Sequence, residues 1–223
     1  VVAAGEYTLG TGTTATLSPL EVAQTPGAAA NVSRAIQTLP GVQNVDEGTG
    51  LFVRGGDVSE TRVLIDDVTF LNPVRFDNPT GHVTATIDPF LLDRTVFSAG
   101  GFGAAYGNAL SGLVRMETAA RPTQTSGSLT AAIGSVGGAL ALAPTQRVGL
   151  RIAGKRNSLA PLFNAFGQAQ PFDPAPQGAD LSGSAEWQSA VRGRVRVFGY
   201  ASDTKFGVGG ATVRGDEAYR ASA

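Results

Sequence analysis

The chain has 223 residues, of which 42% are hydrophobic and only 16% charged, and its 30 glycines are about 13% of the total where roughly 7% is usual. That balance can bury a core, and it excludes a disordered chain, which needs weak hydrophobicity and a large net charge. A formal net charge of −1 leaves no broad cationic surface for phosphates, so nucleic acid is not an expected partner; the absence of cysteine excludes disulfides, thiolate metal sites and cysteine nucleophiles.

The chain begins Val1-Val2 with no Met, basic segment or signal-type apolar run, so a processed or omitted N-terminus is expected. Residues Ala28 to Leu39 carry Ala28, Val32, Ala35, Ile36 and Leu39 at helical spacing between Pro26-Gly27 and Pro40-Gly41, which predicts a short amphipathic helix. Leu51-Phe52-Val53 and Val63-Leu64-Ile65 are short β-rich runs, and Asp66-Asp67 before Val68-Thr69-Phe70 has the pattern of a hairpin turn. Pro89 to Leu92 suggests one helical turn leading into a strand at Thr95 to Phe97, and Leu113 to Glu117 a further strand. Helix and strand signals thus mix up to Ala120-Arg121-Pro122, where the composition changes.

Beyond Pro122 helical signals largely vanish and period-two alternation takes over, with Leu129, Ala131 and Ile133, then Val148, Leu150 and Ile152, then Val191, Val195 and Val197 on one side of their strands. The phase shifts across Gly134 to Gly138, after which Leu140 and Leu142 hold even positions; a turn there gives five strands. Tight turns near Pro144 and Ala190 then fall on one edge of the sheet and a long segment from about Ala160 to Asp180 on the other, as in outer-membrane barrels. No apolar run approaches the ~20 residues of a membrane-spanning helix, but strands need none.

Catalytic patterns are not found. Gly101-Phe102-Gly103-Ala104-Ala105-Tyr106-Gly107 misses the third glycine of a dinucleotide fingerprint by one position, and no Gly-Lys-Ser/Thr follows any glycine. No serine has a glycine two residues before it, so a nucleophile elbow is missing. His82 is the only histidine and reads as a loop residue. Asp66-Asp67 reads as a turn rather than a metal or acid/base pair, and Asp173 and Asp180 lack the periodic spacing of a calcium loop. Arg192, Arg194 and Arg196 read as a wet sheet face with counter-charges on neighbouring strands, in preference to an anion-binding stripe. Neither an enzyme nor a cofactor is expected.

Three segments carry a family resemblance. Phe52-Val53-Arg54-Gly55-Gly56 followed by Thr61-Arg62-Val63-Leu64-Ile65-Asp66-Asp67-Val68 resembles the first signature of the plug domain of TonB-dependent outer-membrane receptors. Gly100-Gly101-Phe102-Gly103-Ala104-Ala105-Tyr106-Gly107 with Leu110-Ser111-Gly112-Leu113-Val114 is similar to the second, and Leu39-Pro40-Gly41-Val42 sits where that family has an LPGV element. The resemblance implies an α+β plug, a small mixed sheet with short helices, over residues 1–120. Residues 121–223 would be antiparallel transmembrane β-barrel strands, about five in number. Five strands cannot close a barrel, whose minimum is about eight, so a longer polypeptide is expected. The implied function is energy-coupled uptake of a ligand across the outer membrane, with the plug gating the barrel. A structural or accessory outer-membrane subunit of the same fold is the alternative.

The resemblance also implies partners and sites. A TonB-type energy-coupling protein would engage a segment upstream of Val1 on the periplasmic side, outer-membrane lipid would surround the barrel, and the ligand is unspecified. Arg54 and Arg62 are expected to pair with acids on the barrel wall, although Ala99 stands where many members carry a second such arginine. Phe70, Asn72, Arg75, Asp77 and Phe102 are the expected ligand-facing plug residues. On the barrel, Val195 and Val197 should face lipid and Arg194 and Arg196 the lumen or plug.

Overall fold

The computed structural model describes residues 14–28, 30–43, 50–70, 74–76, 83–85, 87–132, 134–158, 160–166, 175, 177–189, 193–208 and 211–222. The chain forms two compact units, one of residues 1–75 and 83–119 and the other of residues 76–82 and 120–223.

The first unit contains β1 (Thr14–Leu17), α1 (Pro19–Gln24), α2 (Val32–Gln37), β2 (Val42–Gln43), β3 (Phe52–Val53), β4 (Thr61–Ile65), β5 (Val68–Thr69), β6 (Val74–Phe76), β7 (Val83–Ala85), β8 (Leu92–Ser98) and β9 (Gly112–Thr118). Five of these strands form a mixed sheet in the order β1-β8-β9-β4-β5, parallel only between β4 and β9; β2 pairs with β3, and β6 with β7. Register puts Leu17, Phe97, Val114, Met116, Val63 and Ile65 on one side of that sheet, and all six are buried. With Val22 of α1 and Val32, Ala35 and Ile36 of α2 they form the core, each large side chain contributing about 1.5–3 kcal/mol.

The caps explain where the helices run. At α1 a capping box closes between Ser18 and Glu21: the Glu21 amide donates to Ser18 Oγ (3.3 Å) and the Ser18 amide to Glu21 Oε2 (2.7 Å), with Pro19 as first helical residue. α2 is shorter than its apolar spacing suggests. Ala30 sits at φ 56° and Asn31 caps the helix by accepting from the Arg34 amide, so Ala28 belongs to the preceding turn. The hairpin at Asp66-Asp67 is the expected two-residue turn, both residues having positive φ (45° and 65°), the backbone that matches the twist of paired strands.

The second unit is a six-stranded antiparallel sheet in chain order: β10 (Ser126–Ala132), β11 (Ser135–Leu142), β12 (Val148–Ser158), β13 (Gln177–Gln188), β14 (Arg194–Val208) and β15 (Ala211–Ser222). The count corrects the expected five. β15, with sequence ATVRGDEAYRAS, lacks a run of large apolar residues and is defined by its pairing with β14. The first turn also falls earlier than expected, at 133–134, leaving Gly137 and Gly138 inside β11; its two-residue length pairs odd positions of β10 with even ones of β11, which is the phase shift seen in the sequence. The long connection carries one short helix, α3 (Ala160–Phe166), where no helix is expected. It shares its rim with two-residue links after β10 and β14, so that rim is not uniformly long-looped.

Register sorts this sheet into two faces. Leu129, Val136, Leu140, Ile152, Leu181, Trp187 and Val195 all share one, with Leu150, Ala185 and Val197 among them, and those seven are exposed. On β10 to β14 the charged residues of this face, Arg156, Asp203 and Lys205, stand toward the rim of the long connection, while Trp187 stands at the opposite end beside Val148 and Val195; β15 departs from this, its Arg220 pairing with Gly199 in the row of Ile152. Eight residues of β12 separate these rows, about 20 Å along the normal for a rise of ~3.4 Å and a tilt of ~40°. That approaches the ~25 Å apolar band of a membrane barrel.

The other face carries Ser128, Arg151, Ser182, Ser184, Glu186 and Arg196. Glu186 pairs with Arg196 at 3.1 Å, both side chains largely buried, which places the counter-charge on the neighbouring strand. The linker lies against this face: Arg151 donates to the Ala120 carbonyl, and a Cβ on Gly149 would come within 2.6 Å of Arg121 and 2.7 Å of Pro122. We expect Ile152→Arg to cost about 2–4 kcal/mol of folding into a bilayer and Ser184→Arg on the polar face much less. Vesicle-folding yields of the full-length protein, read by heat-modifiable gel mobility, test this.

Candidate functional site

The three segments quoted above from the sequence converge in the first unit. The Arg54 amide donates to the Gly41 carbonyl (2.8 Å), which ties the FVRGG stretch to Leu39-Pro40-Gly41-Val42. Arg54 has φ 52°, and its side chain lies over small residues: a Cβ on Gly100 would sit 3.2 Å from Arg54 Nη1, and one on Gly41 would sit 3.8 Å from Arg54 Cγ. Gly56 backs onto Ser111, with 2.5 Å available to a Cβ, and Gly112 onto Val53 and Thr61, with 2.8 Å to each. Those two glycines are therefore spacing elements, whereas Gly107 faces open space.

The opposite face of the sheet from the core carries the charges. Arg62 donates through Nη1 to the Gly107 carbonyl and through Nη2 to Thr69 Oγ1 (3.0 Å), joining β4 to the second glycine-rich segment and to β5. Arg115 lies 5.3 Å from the Tyr106 ring centre and 3.5 Å from both Asp67 and Glu117. Glu117 in turn accepts two bonds from Arg94 (2.9 and 3.1 Å), which raises the Arg94 pKa. Asp66 does more than make a turn, because its carboxylate accepts from both the amide (3.0 Å) and the hydroxyl of Thr118 and so ties the hairpin to β9. Thr118 left no signal in the sequence, since its role depends on the β4–β9 pairing.

The expected site residues separate into several groups. Arg54 is exposed and has no ion pair among the described residues. Arg62 has partners inside the unit, which an acid from elsewhere would have to displace. Phe70 corrects an expectation: it is 3% exposed, and its amide is bonded to the Val63 carbonyl, so it packs in the core and does not face a ligand. Phe102 is half-buried in the second glycine-rich segment, Arg75 lies on β6, and Asn72 and Asp77 fall outside the described residues. Among the described residues no group of three or more His, Asp or Glu is placed to hold a metal ion, and no described helix is long and apolar enough to cross a membrane.

Residues 10–113 match the TonB-dependent Receptor Plug Domain family. No curated protein matches the chain by sequence. In fold the chain is similar to the ferric enterobactin receptor PfeA of Pseudomonas aeruginosa, at 19% identity and TM-score 0.60 over 86% of this chain and 33% of that one. It is also similar to the siderophore receptor PirA of the same species (19%, TM-score 0.57, 94% and 42%). A third is the ferric-catecholate import receptor Fiu of E. coli K12 (15%, TM-score 0.60, 86% and 27%). At such identities the fold is what is shared, and this chain spans 27 to 42% of those three structures. Most of the first unit thus matches the plug-domain family, and the chain shares the fold of part of these receptors.

Two outcomes follow from the geometry. Gly112→Ala should destabilise the plug by about 1–3 kcal/mol through overpacking, and Gly107→Ala should stay within about 0.5 kcal/mol; amide exchange of Val63–Ile65 measures both. Asp57 caps the Val58–Glu60 turn, and the bonds it accepts from the Ser59 amide (2.9 Å) and hydroxyl (2.7 Å) lower its pKa. A carboxyl with a lowered folded pKa contributes stability above its unfolded pKa, near 3.9, and loses it as pH falls through the folded value. The difference in Ser59 amide protection between wild type and Asp57→Ala should therefore be full at neutral pH and close in acid.

Proposed function

We propose that this chain is the plug and the first six wall strands of a receptor that takes up a ligand across the outer membrane, with the plug gating the barrel and a TonB-type protein supplying energy. The observation that carries this reading is the pairing in one polypeptide of a family plug with a sheet whose apolar face is exposed and whose polar face holds a buried ion pair and receives the linker. An open sheet edge in lipid would leave backbone groups unsatisfied at several kcal/mol each, so β10 and β15 call for further strands beside them. In this reading the long connection between β12 and β13 marks the outer rim, and the segment preceding the plug is periplasmic.

In this reading Arg54 is the plug arginine that pairs with an acid of the barrel, because it is exposed at the junction of the signature segments and has no ion pair among the described residues. Asn72, Arg75, Asp77 and Phe102 are the candidates for ligand contact from the plug. The plug blocks passage until the coupling protein acts on the segment preceding it. Ligand binding alone shifts the plug only by its differential affinity for the closed and open states.

Deleting the residues upstream of Tyr7 in the full-length protein is expected to abolish uptake and to leave surface binding within about tenfold, or 1.4 kcal/mol. Labelled ferric enterobactin, the cargo in the name of one fold neighbour, is the first probe for paired binding and accumulation assays on whole cells. Unimpaired accumulation in the truncated strain would overturn energy coupling and favour a structural subunit.

A further inference from the structure

The segment from Gly101 to Ala109 is held to the rest of the plug in an unusual way. Among the described residues of the plug unit its polar contacts are the Gly107 carbonyl on Arg62 and the Tyr106 ring on Arg115; its other hydrogen bond, Tyr106 amide to Gly103 carbonyl, is internal. Gly101, Gly103, Ala104, Ala105, Gly107 and Asn108 are exposed, and only Phe102, Tyr106 and Ala109 are partly covered, so apolar burial holds it weakly. Its ends, in contrast, are fixed. Ser98 Oγ donates to the Gly100 carbonyl (2.8 Å) before it, and the amides of Leu110 and Ser111 both donate to the Glu60 carbonyl after it (3.0 and 3.2 Å). Left-handed backbone stands at each end, at Gly100 and Gly101 (φ 148° and 71°) and at Asn108 (φ 63°).

We propose that residues 101–109 form a strap across the Arg62–Arg115 face of the plug sheet, latched by Arg62 on the Gly107 carbonyl, and that its release without unfolding of the sheet is a step in gating. The proposal rests on the gating reading above. The two arginines can let go without being stranded, because Arg62 keeps Thr69 and Arg115 keeps the carboxylates of Asp67 and Glu117. Breaking a buried charge from its sole partner is costly, and here that cost is avoided. What opening loses is one charge-assisted hydrogen bond and one cation–π contact, which leaves the closed strap favoured but switchable. Arg62 is thus a positioning residue. Its forked guanidinium bridges Gly107 and Thr69 at once, which a lysine ammonium on one flexible stem cannot reproduce.

The chain has no cysteine, so a single Ala109→Cys substitution in the full-length receptor reports the strap by its labelling rate with a membrane-impermeant maleimide. Arg62→Ala is expected to raise that rate about tenfold or more, the loss of a hydrogen bond to a charged group, and Arg62→Lys by an intermediate factor. Amide protection in β4 and β9 should be unchanged in both variants, and conductance in planar bilayers should rise with the labelling rate. A labelling rate within twofold of the parent would overturn the latch. Parallel loss of protection in β4 and β9 would make Arg62 a plain structural residue, and opening without conductance would overturn the strap's part in gating. These readouts use neither ligand nor energy source, so their failure is distinct from failure of the uptake reading.

Discussion

The parallel pairing of β4 with β9 is the interaction on which the plug depends. It sets Thr61 beside Gly112 and Ile65 beside Met116, strands separated by some forty-five residues of chain, and closing so long a connection has an entropic cost that local contacts cannot offset. The offset comes from both faces of the pair. Val63, Ile65, Val114 and Met116 are buried on one, and Arg62 and Arg115 gather the glycine-rich segment and the hairpin tip on the other. The Asp66 carboxylate on Thr118 then fixes the register at the far end. Without this pairing the segments around Arg54 and Gly100 would have no reason to meet.

Glycine serves this junction in two ways that composition alone does not distinguish. At Gly56 and Gly112 the neighbouring atoms leave no room for a Cβ, so the two signature segments approach as closely as their backbones permit. At Gly100 and Gly101 the requirement is a left-handed backbone at the root of the strap. A domain assembled this way is dense at the junction and lightly held above it. In the proposed receptor that combination would let the plug stay folded while part of it yields.

The second unit obeys a different constraint. A sheet in lipid must satisfy its backbone groups through neighbouring strands and present apolar side chains outward, and the strict odd–even pairing of β10 through β14 does both. In the middle of β12 to β14 charge is kept to the other face, where Arg196 finds Glu186 and Arg151 finds the linker carbonyl. The linker packing over Gly149 gives that glycine a role that strand propensity would count against it.

Much of the architecture could be read from the sequence because it is local. The hairpin at Asp66-Asp67, the helical turn at Pro89 and the alternation around Val148 to Ile152 each depend on a few adjacent residues and a period of two or four. The α1 helix was equally local, since Ser18-Pro19-Leu20-Glu21 is a capping-box sequence, but its single buried side chain, Val22, gave no periodicity to notice. β15 escaped for a related reason: its side chains alternate too weakly, and only hydrogen bonding to β14 makes it a strand. The resemblance implied that Phe70 faces a ligand, yet burial is decided by what folds over a position, not by its neighbours in the chain. The same holds for Arg62, whose partners, Gly107 and Thr69, lie on either side of it in the fold and are brought together by strand order. The sequence by itself determined the kinds of element, the boundary near Ala120 and the signature segments. Only the tertiary structure decided which charges meet, which glycines lack room and that Arg62 and Arg115 reach the 101–109 segment, because those depend on distances between residues far apart in the chain.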